Sequence, residues 1–210
     1  YTPERWKNDK QQLIENYNEL GYRAANIVSD TVWNVDEKHV SMRVKVDEGK
    51  KYYVRNITWV GNTVYNTDYL AAVLGMKKGD VYNQKLMNKR LTEDEDAVGN
   101  NYWNNGYLFY SLHPTEVNIV GDSIDLEMRI FEGPQAHINH VRINGNDRLY
   151  ENVVRRELRT KPGDLFSKEA LQRSAREIAS MGHFDPEKVN PDVKPDPENG
   201  TGDINWALVQ

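Results

Sequence analysis

The chain has 210 residues, of which 38% are hydrophobic and 28% charged, with a formal net charge of −5 and no cysteine. That length holds one ordinary domain or two to three very small ones. The acidic balance excludes the concentrated Lys and Arg that phosphate backbones demand, the missing cysteine excludes disulfides, thiolate zinc sites and thiol nucleophiles, and no run approaches the roughly 18 apolar residues of a membrane helix.

In chain order, the sequence opens on Tyr1 rather than Met and shows no leader segment. It is expected to be a piece of a longer protein whose targeting or membrane parts lie elsewhere. Thr2-Pro3-Glu4 starts a helix, with Trp6, Leu13, Ile14, Tyr17 and Leu20 as its expected buried stripe, and Gly21 ends it. Val40, Met42, Val44 and Val46 alternate as a strand before Glu48-Gly49. A strand over 54–60 carries Ile57 and Trp59 on one face, and Gly61-Asn62 turns it. A short helix follows, capped by Asn66 or Thr67, with Leu70, Val73 and Leu74 inward and Gly75 as its stop.

Gly79-Asp80 makes the next turn, followed by the apolar pair Val81-Tyr82. Asn83 caps a longer helix that carries the acidic run Glu93-Asp94-Glu95-Asp96 and ends at Gly106. Ile124, Leu126, Met128 and Ile130 alternate before Glu132-Gly133. The same order then returns: Val141 and Ile143, Gly145-Asn146, a helical face of Leu149, Val153, Val154 and Leu158, Gly163-Asp164, Leu165-Phe166, and a helix from Ser167 through Leu171, Ala175, Ile178 and Met181 to Gly182. Residues 192–203 read as a long Pro- and Gly-rich hairpin loop, and Ile204, Trp206 and Leu208 as the last strand.

The recurrence has a fixed period. Gly-Asn, Gly-Asp, Leu74/Leu158 and Glu-Gly all repeat at one offset (145 − 61 = 84). The Gly that closes the long helix repeats at a shorter one (182 − 106 = 76), so the middle copy carries about eight extra residues around its second helix. The expected fold is α+β: tandem β-α-α-β-β modules, each with two helices on one face of a three-stranded mixed sheet. The module boundaries are 1–49 (the back half of a truncated copy), 50–133 (complete, with the insertion) and 134–210 (complete). The strand after each long helix, over 21–25, 106–112 and 182–189, is the expected exposed sheet edge and a template for a visiting strand.

These features resemble the POTRA domain over the whole chain. The last copy, with Val141-x-Ile143-x-Gly145-Asn146-Asp147, Val154-Arg155-Arg156-Glu157-Leu158-Arg159, Gly163-Asp164-Leu165 and Gly182-His183-Phe184-Asp185, is similar to the membrane-proximal POTRA of BamA-type assembly proteins. The resemblance implies the end of a third, then a fourth and fifth module of a periplasmic arm at the outer membrane. It implies unfolded outer-membrane proteins as clients, accessory outer-membrane lipoproteins as partners, and a C-terminal β-barrel outside this chain that receives the clients. No cofactor and no catalysis are implied.

The expected client-docking residues are Tyr22, Arg23, Tyr107, Leu108, Phe109, Tyr110 and Phe184. Arg155 and Arg159 are the expected partner-docking pair, although Pro162 stands where many relatives carry an acidic residue. Gly61, Asn62, Gly79, Asp80, Gly145, Asn146, Gly163 and Asp164 are structural turns. The acidic run reads as a solvated helix face, because consecutive helical carboxylates diverge rather than converge on calcium. His137 and His140 fall on opposite faces of a strand, and no HExxH pattern or nucleophile elbow accompanies them. Trp6, Trp59 and Trp206 read as core; Trp33 and Trp103 are open to either reading. Two other functions remain: a structural spacer, and the arm of a related two-partner secretion or translocation-and-assembly transporter.

Overall fold

A computed structural model describes residues 2–209. Backbone contacts divide the chain into two compact units. The first comprises Tyr1–Val60, Thr67–Asp94 and His113–Arg129, and the second Gly61–Asn66, Glu95–Leu112 and Ile130–Gln210. The cut between Asp94 and Glu95 falls inside the acidic run.

In the first unit, helix α1 (Pro3–Glu19) precedes a two-stranded antiparallel sheet, β1 (Asn26–Asn34) with β2 (Val40–Asp47). Its expected apolar stripe is not buried. No residue of α1 is buried, Leu20 is 58% exposed, and Val40 and Met42 are exposed. One helix against two strands supplies no second helix within this copy, so the stripe stays only partly covered. Trp6 is half-buried, and its indole N–H donates to Asp30 Oδ2 at 3.0 Å.

The rest of the first unit builds a three-stranded sheet of order β3-β5-β4, with β3 (Tyr53–Val60) parallel to the central β5 (Ser123–Phe131) and β4 (Ser111–Val120) on the outside. Alternation along β5 buries Ile124, Leu126 and Met128, and α2 (Thr67–Leu74) adds Leu70 and Leu74. The long second helix expected here is interrupted. Asn83 caps α3 (Gln84–Asn88), accepting from Leu86 N–H at 2.9 Å. A π-helical turn, Lys89–Glu93, follows, and the chain leaves helical geometry at Asp94. Helix α4 (Val98–Trp103) then starts afresh in the second unit. The acidic run therefore sits at a helix break and not along a helix face, with Asp94 paired to Arg90 at 3.0 Å. Eight extra residues would carry a regular helix about 80° past two whole turns and swing its apolar face off the sheet. The chain instead takes a wide turn over Lys89–Glu93 and breaks at Asp94.

The second unit holds a sheet of order β6-β8-β7 with β6 (His137–Asn144) parallel and β7 (Pro191–Asp196) antiparallel to the central β8 (Thr201–Ala207). Residues 192–203, expected as loop, are mostly strand: β7 and β8 pair from Pro191↔Trp206 to Asp196↔Thr201. Proline is compatible with a strand whose N–H side faces out of the sheet, so Pro191 and Pro195 mark an outer strand rather than a loop. Helices α5 (Glu151–Arg155) and α6 (Lys168–Ser180) cover one face. Val154, Leu158, Leu171, Ile178, Ile204 and Trp206 form the core, and Ser167 caps α6 by accepting from Ala170 N–H at 3.3 Å. Both sheets are three-stranded and mixed, so the fold is α+β as expected.

Candidate functional site

The Gly-Asp turns lie on one edge of each three-stranded sheet. Asp80 bonds back to Lys77 N–H at 2.7 Å, and Asp164 to Lys161 N–H at 2.8 Å. The turn thus shaped lies on the first strand: Val54 N–H donates to Asp80 O (2.8 Å) and Gly79 N–H to Val54 O (2.7 Å), repeated by Ile138 with Asp164 and Gly163 at 2.8 and 2.7 Å. The turn satisfies the outer backbone of β3 at Val54 and of β6 at Ile138; β4 and β7 form the opposite edges of the two sheets.

Those two edges differ. β4 is ten residues long, and Val117, Ile119 and Val120 are 46–50% exposed. Proline cannot donate to a neighbouring strand, so Pro114 faces outward, and the period of two places Leu112, Glu116, Asn118 and Val120 outward with it. Four N–H donors remain on that row. In the six-residue β7 the same logic turns Pro191, Val193 and Pro195 outward, leaving one donor. Exposed charges at Asp192 and Lys194 blunt it further.

The residues expected at the client edge lie elsewhere. Tyr22, Arg23, Tyr107, Leu108, Phe109, Tyr110 and Phe184 all precede the strands and occupy the turns after the long helices. Gly21 and Gly106, both at φ near +90°, reverse the chain so that Tyr22 N–H and Tyr107 N–H return to Tyr17 O (3.0 Å) and Tyr102 O (3.1 Å). The aromatic rings fold back with the backbone. Tyr110 is buried, stacked on Tyr102 at 4.4 Å and edge-on to Trp103 at 5.6 Å. Phe184 is buried in the core of the second unit, against which Trp103, Leu108 and Phe109 also pack. Arg23 pairs with Glu116 of β4 and lies over the rings of Tyr52 and Tyr82. These side chains serve joints and cores rather than a free edge. Sequence reasoning missed Val117 and Ile119, although Thr115, Val117 and Ile119 alternate immediately after Pro114, a strand signal marked as an outer one.

The joints repeat as closely as the turns. Tyr52 N–H donates to Gly21 O at 2.9 Å and Ala136 N–H to Gly106 O at 2.8 Å. A Cβ on either glycine would stand 2.6 Å from a side-chain carbon, of Val81 in one case and Leu165 in the other. Lys168 reinforces the second joint, with Nζ 4.4 Å from the Trp103 ring and 2.8 Å from Asn100 Oδ1; burial depresses its pKa.

The Glu-Gly repeat has a polar purpose that the spacing did not disclose. Glu132, 9% exposed, accepts from Thr63 N–H (2.8 Å), Val64 N–H (3.0 Å) and the Tyr102 hydroxyl (2.8 Å) through Oε1, and from the Thr63 hydroxyl through Oε2. Burial pushes this carboxyl up, but the four donors together hold it below its ordinary value. Burial raises the Tyr102 hydroxyl in turn. Glu48 accepts from Tyr17 in the same way at 3.1 Å. Tyr82, whose hydroxyl donates to Glu116 at 3.1 Å, is pushed up to about 12, first by burial and then by that carboxylate.

Arg155 and Arg159 are both engaged within the chain. Arg155 holds Glu151 and reaches Val141 O at 3.3 Å. Arg159 grips both oxygens of Glu177 at 2.9 Å. His140 Nδ1 lies 3.1 Å from Asp203. Among the described residues no group of three or more His, Asp or Glu is arranged to hold a metal, and no helix is long and apolar enough to cross a membrane.

Comparison with known proteins agrees with this architecture. The chain is 29% identical over 203 residues to a protein of Treponema pallidum named as a putative outer membrane protein assembly factor, covering 93% of this chain and 23% of that protein. It is 26% identical over 188 residues to outer membrane protein assembly factor BamA of Neisseria meningitidis, covering 88% and 23%. The chain thus spans about a quarter of these curated relatives. Its fold is similar to that of Haemophilus influenzae BamA POTRA3-5, at a TM-score of 0.78 and 20% identity over 98% of this chain and 80% of that one. The BamA structure from Haemophilus ducreyi lacking POTRA domains 1-3 is similar at a TM-score of 0.58, with 19% identity over 76% and 29% of the two chains. The family model described as POTRA, "Surface antigen variable number repeat", matches residues 1–49, 52–133 and 136–207, and with nearly every residue so matched the chain belongs to the POTRA family.

Proposed function

We propose that this chain is part of the periplasmic arm of an outer-membrane β-barrel assembly protein. It captures unfolded outer-membrane protein segments by strand addition and passes them to a C-terminal barrel of the full-length protein. The supporting observation is the asymmetry of edges: each first strand is engaged at its start by its own Gly-Asp turn, at Val54 and Ile138, while β4 keeps four outward donors beside exposed Val117 and Ile119. Each main-chain hydrogen bond gained nets about 0.5–1.5 kcal/mol, so a short client segment binds weakly and releases, as a transfer step requires. Accessory lipoproteins dock on the α5 side, where an acidic partner competes with Glu151 and Glu177 for Arg155 and Arg159. The module boundaries at 49/50 and 133/134 belong to this proposal, as does the periplasmic location.

In-cell photo-crosslinking from Val117 and Ile119 of the full-length protein tests it, with Lys194 of β7 and Lys89 as controls. Adducts of nascent outer-membrane proteins at the β4 probes alone are expected. The repeated glycine joints favour a second reading, a structural spacer; β4 probes that yield no client adduct would move that reading to first place.

A further inference from the structure

Asparagine precedes glycine three times, at Asn105-Gly106, Asn144-Gly145 and Asn199-Gly200. All three asparagines are exposed, so access to solvent does not separate them. Their glycines do. Gly106 is buried, and a Cβ on it would stand 2.6 Å from Leu165. The Asn105 carboxamide is also tied, donating to Asn101 O at 2.8 Å and to the Tyr65 hydroxyl at 3.0 Å. Gly145 lies against Leu208 O, 1.9 Å from a built Cβ, and Asn144 is held in β6, paired with Ala207 and accepting from Leu208 N–H at 2.9 Å. Gly200 differs: it belongs to the loop 197–200 between β7 and β8, and a Cβ built on it meets nothing within 4 Å. Its N–H reaches no acceptor among the described residues, and its carbonyl is engaged by His137 N–H at 3.2 Å. Asp196 holds the loop's asparagine, with Oδ2 accepting from Asn199 Nδ2 at 2.7 Å and Oδ1 from Asn199 N–H at 3.2 Å.

We propose that Asn199-Gly200 is a site of spontaneous deamidation, and that Asp196 sets its rate by holding the carboxamide. The Gly200 nitrogen attacks Asn199 Cγ, a cyclic succinimide closes, and Nδ2 leaves as ammonia with the proton of the Gly200 amide. Water then opens the ring at one of its two carbonyls. Opening at Cγ leaves aspartate; opening at the backbone carbonyl leaves isoaspartate, with the chain rerouted through the side chain. Ring closure must rotate the Asn–Gly peptide onto the side chain, and glycine has no Cβ to resist that rotation. The 199–200 peptide has room for it, whereas Leu165 and Leu208 clamp the other two. The bond to Asp196 slows closure, because a charge-assisted hydrogen bond restrains the carboxamide that must turn. The product changes the sheet. A carboxylate at 199 faces the Asp196 carboxylate where a donor stood, and like charges repel there. Isoaspartate also lengthens the loop by a backbone carbon. Asp196↔Thr201 is the rung beside that loop, so β7 loosens from this end.

Ageing the full-length protein in neutral buffer, followed by peptide mapping with mass spectrometry and isoaspartyl methyltransferase labelling, tests the assignment. Conversion is expected severalfold faster at Asn199 than at Asn105 or Asn144 in the folded protein, and at similar rates for all three in denaturant. Equal rates in the folded protein, or faster conversion at Asn105 or Asn144, would overturn the proposal; so would a preference for Asn199 that persists in denaturant, since the selectivity would then lie in sequence alone. Asp196→Ala should speed conversion at Asn199, and an unchanged or slower rate would remove Asp196 from the account. Hydrogen exchange over 191–196 should rise in the aged protein and in Asn199→Asp, while β6 keeps its protection. Unchanged exchange in both would show that the product leaves the sheet intact and would overturn the loosening of β7.

Discussion

The middle and last copies share their backbone devices residue for residue, and differ in what those devices enclose. Asn62 and Asn146 each donate to a carbonyl three residues on, at 2.9 Å in both cases. Beside these turns Gly61 and Gly145 lie against a carbonyl oxygen, of Ile130 and Leu208 respectively, so closely that a Cβ would stand 2.1 and 1.9 Å away. The central strand carries Met128 in one copy and Trp206 in the other, both 0% exposed. The closing helix presents Tyr102 to a buried carboxylate in the middle copy, whereas the last has fully buried Ile178 on α6. The outer strand is long and donor-rich in β4, short and proline-marked in β7. One fold thus tolerates different cores and different edges, because turns and joints are specified by local backbone chemistry while fill and edge are set by side chains.

The largest effects should come from the fill. Trp206→Ala is expected to cost about 3–5 kcal/mol and Met128→Ala about 2–5 kcal/mol, since each empties a sealed core site. Hydrogen exchange should show Trp206→Ala loosening β6 to β8 first, and Met128→Ala loosening β3 to β5 first. Equal loss of protection across the whole chain in both variants would mean that the copies are not separate units of stability. Trp206 Nε1 is buried with no partner, so Trp206→Phe removes an unpaired donor and is expected to cost far less than Trp206→Ala.

Next comes the polar difference. Glu132→Gln keeps the shape but loses a carboxylate that serves four donors, and should destabilise by about 1–3 kcal/mol. The folded-state carboxyl is held below the ordinary 4.5, so its stabilisation is complete above about pH 4.5 and is lost as pH falls through the lower folded value. Denaturation midpoints measured from neutral to acidic pH should therefore converge for wild type and Glu132→Gln as pH falls. A difference between them that stayed constant with pH would show that the carboxylate's charge is not the source.

How much of this was legible follows the same division. Gly-Asn and Gly-Asp could be read because their side chains bond backbone within three residues, and the 84-residue spacing exposed them together. The start of the outer strand could not: Gly21 and Gly106 read as the first residues of a strand, but a return bond to Tyr17 or Tyr102 inserts a turn and takes Tyr22, Tyr107 and Tyr110 inward. β7 was hidden because proline and glycine signal loops until a neighbouring strand fixes which way the N–H would face. The eight-residue insertion could be counted, but nothing in the spacing says where it is absorbed, by a π turn and a break at Asp94. The open edge therefore lies a few residues beyond the position that spacing alone indicates.

The smallest effect is the one that separates the edges most directly. Pro195 stands opposite Gly202 on the outer strand, and Pro195→Val would restore one outward N–H without touching the pairing with β8. Stability should change by no more than about 0.5 kcal/mol, as for other surface substitutions, yet the outward donors of β7 rise from one to two. Asn118→Pro makes the opposite change in β4, reducing four donors to three. If edge donors govern strand capture, client crosslinks from Lys194 should rise in the first variant without a shift in the unfolding midpoint, and those from Val117 should fall in the second, whose midpoint also drops because the Asn118 side chain no longer bonds Asp125. Unchanged crosslinking in both would place the selectivity in the side chains, with Val117 and Ile119 gripping apolar client residues whatever the backbone offers, and the edge would then act as an apolar strip rather than a ladder.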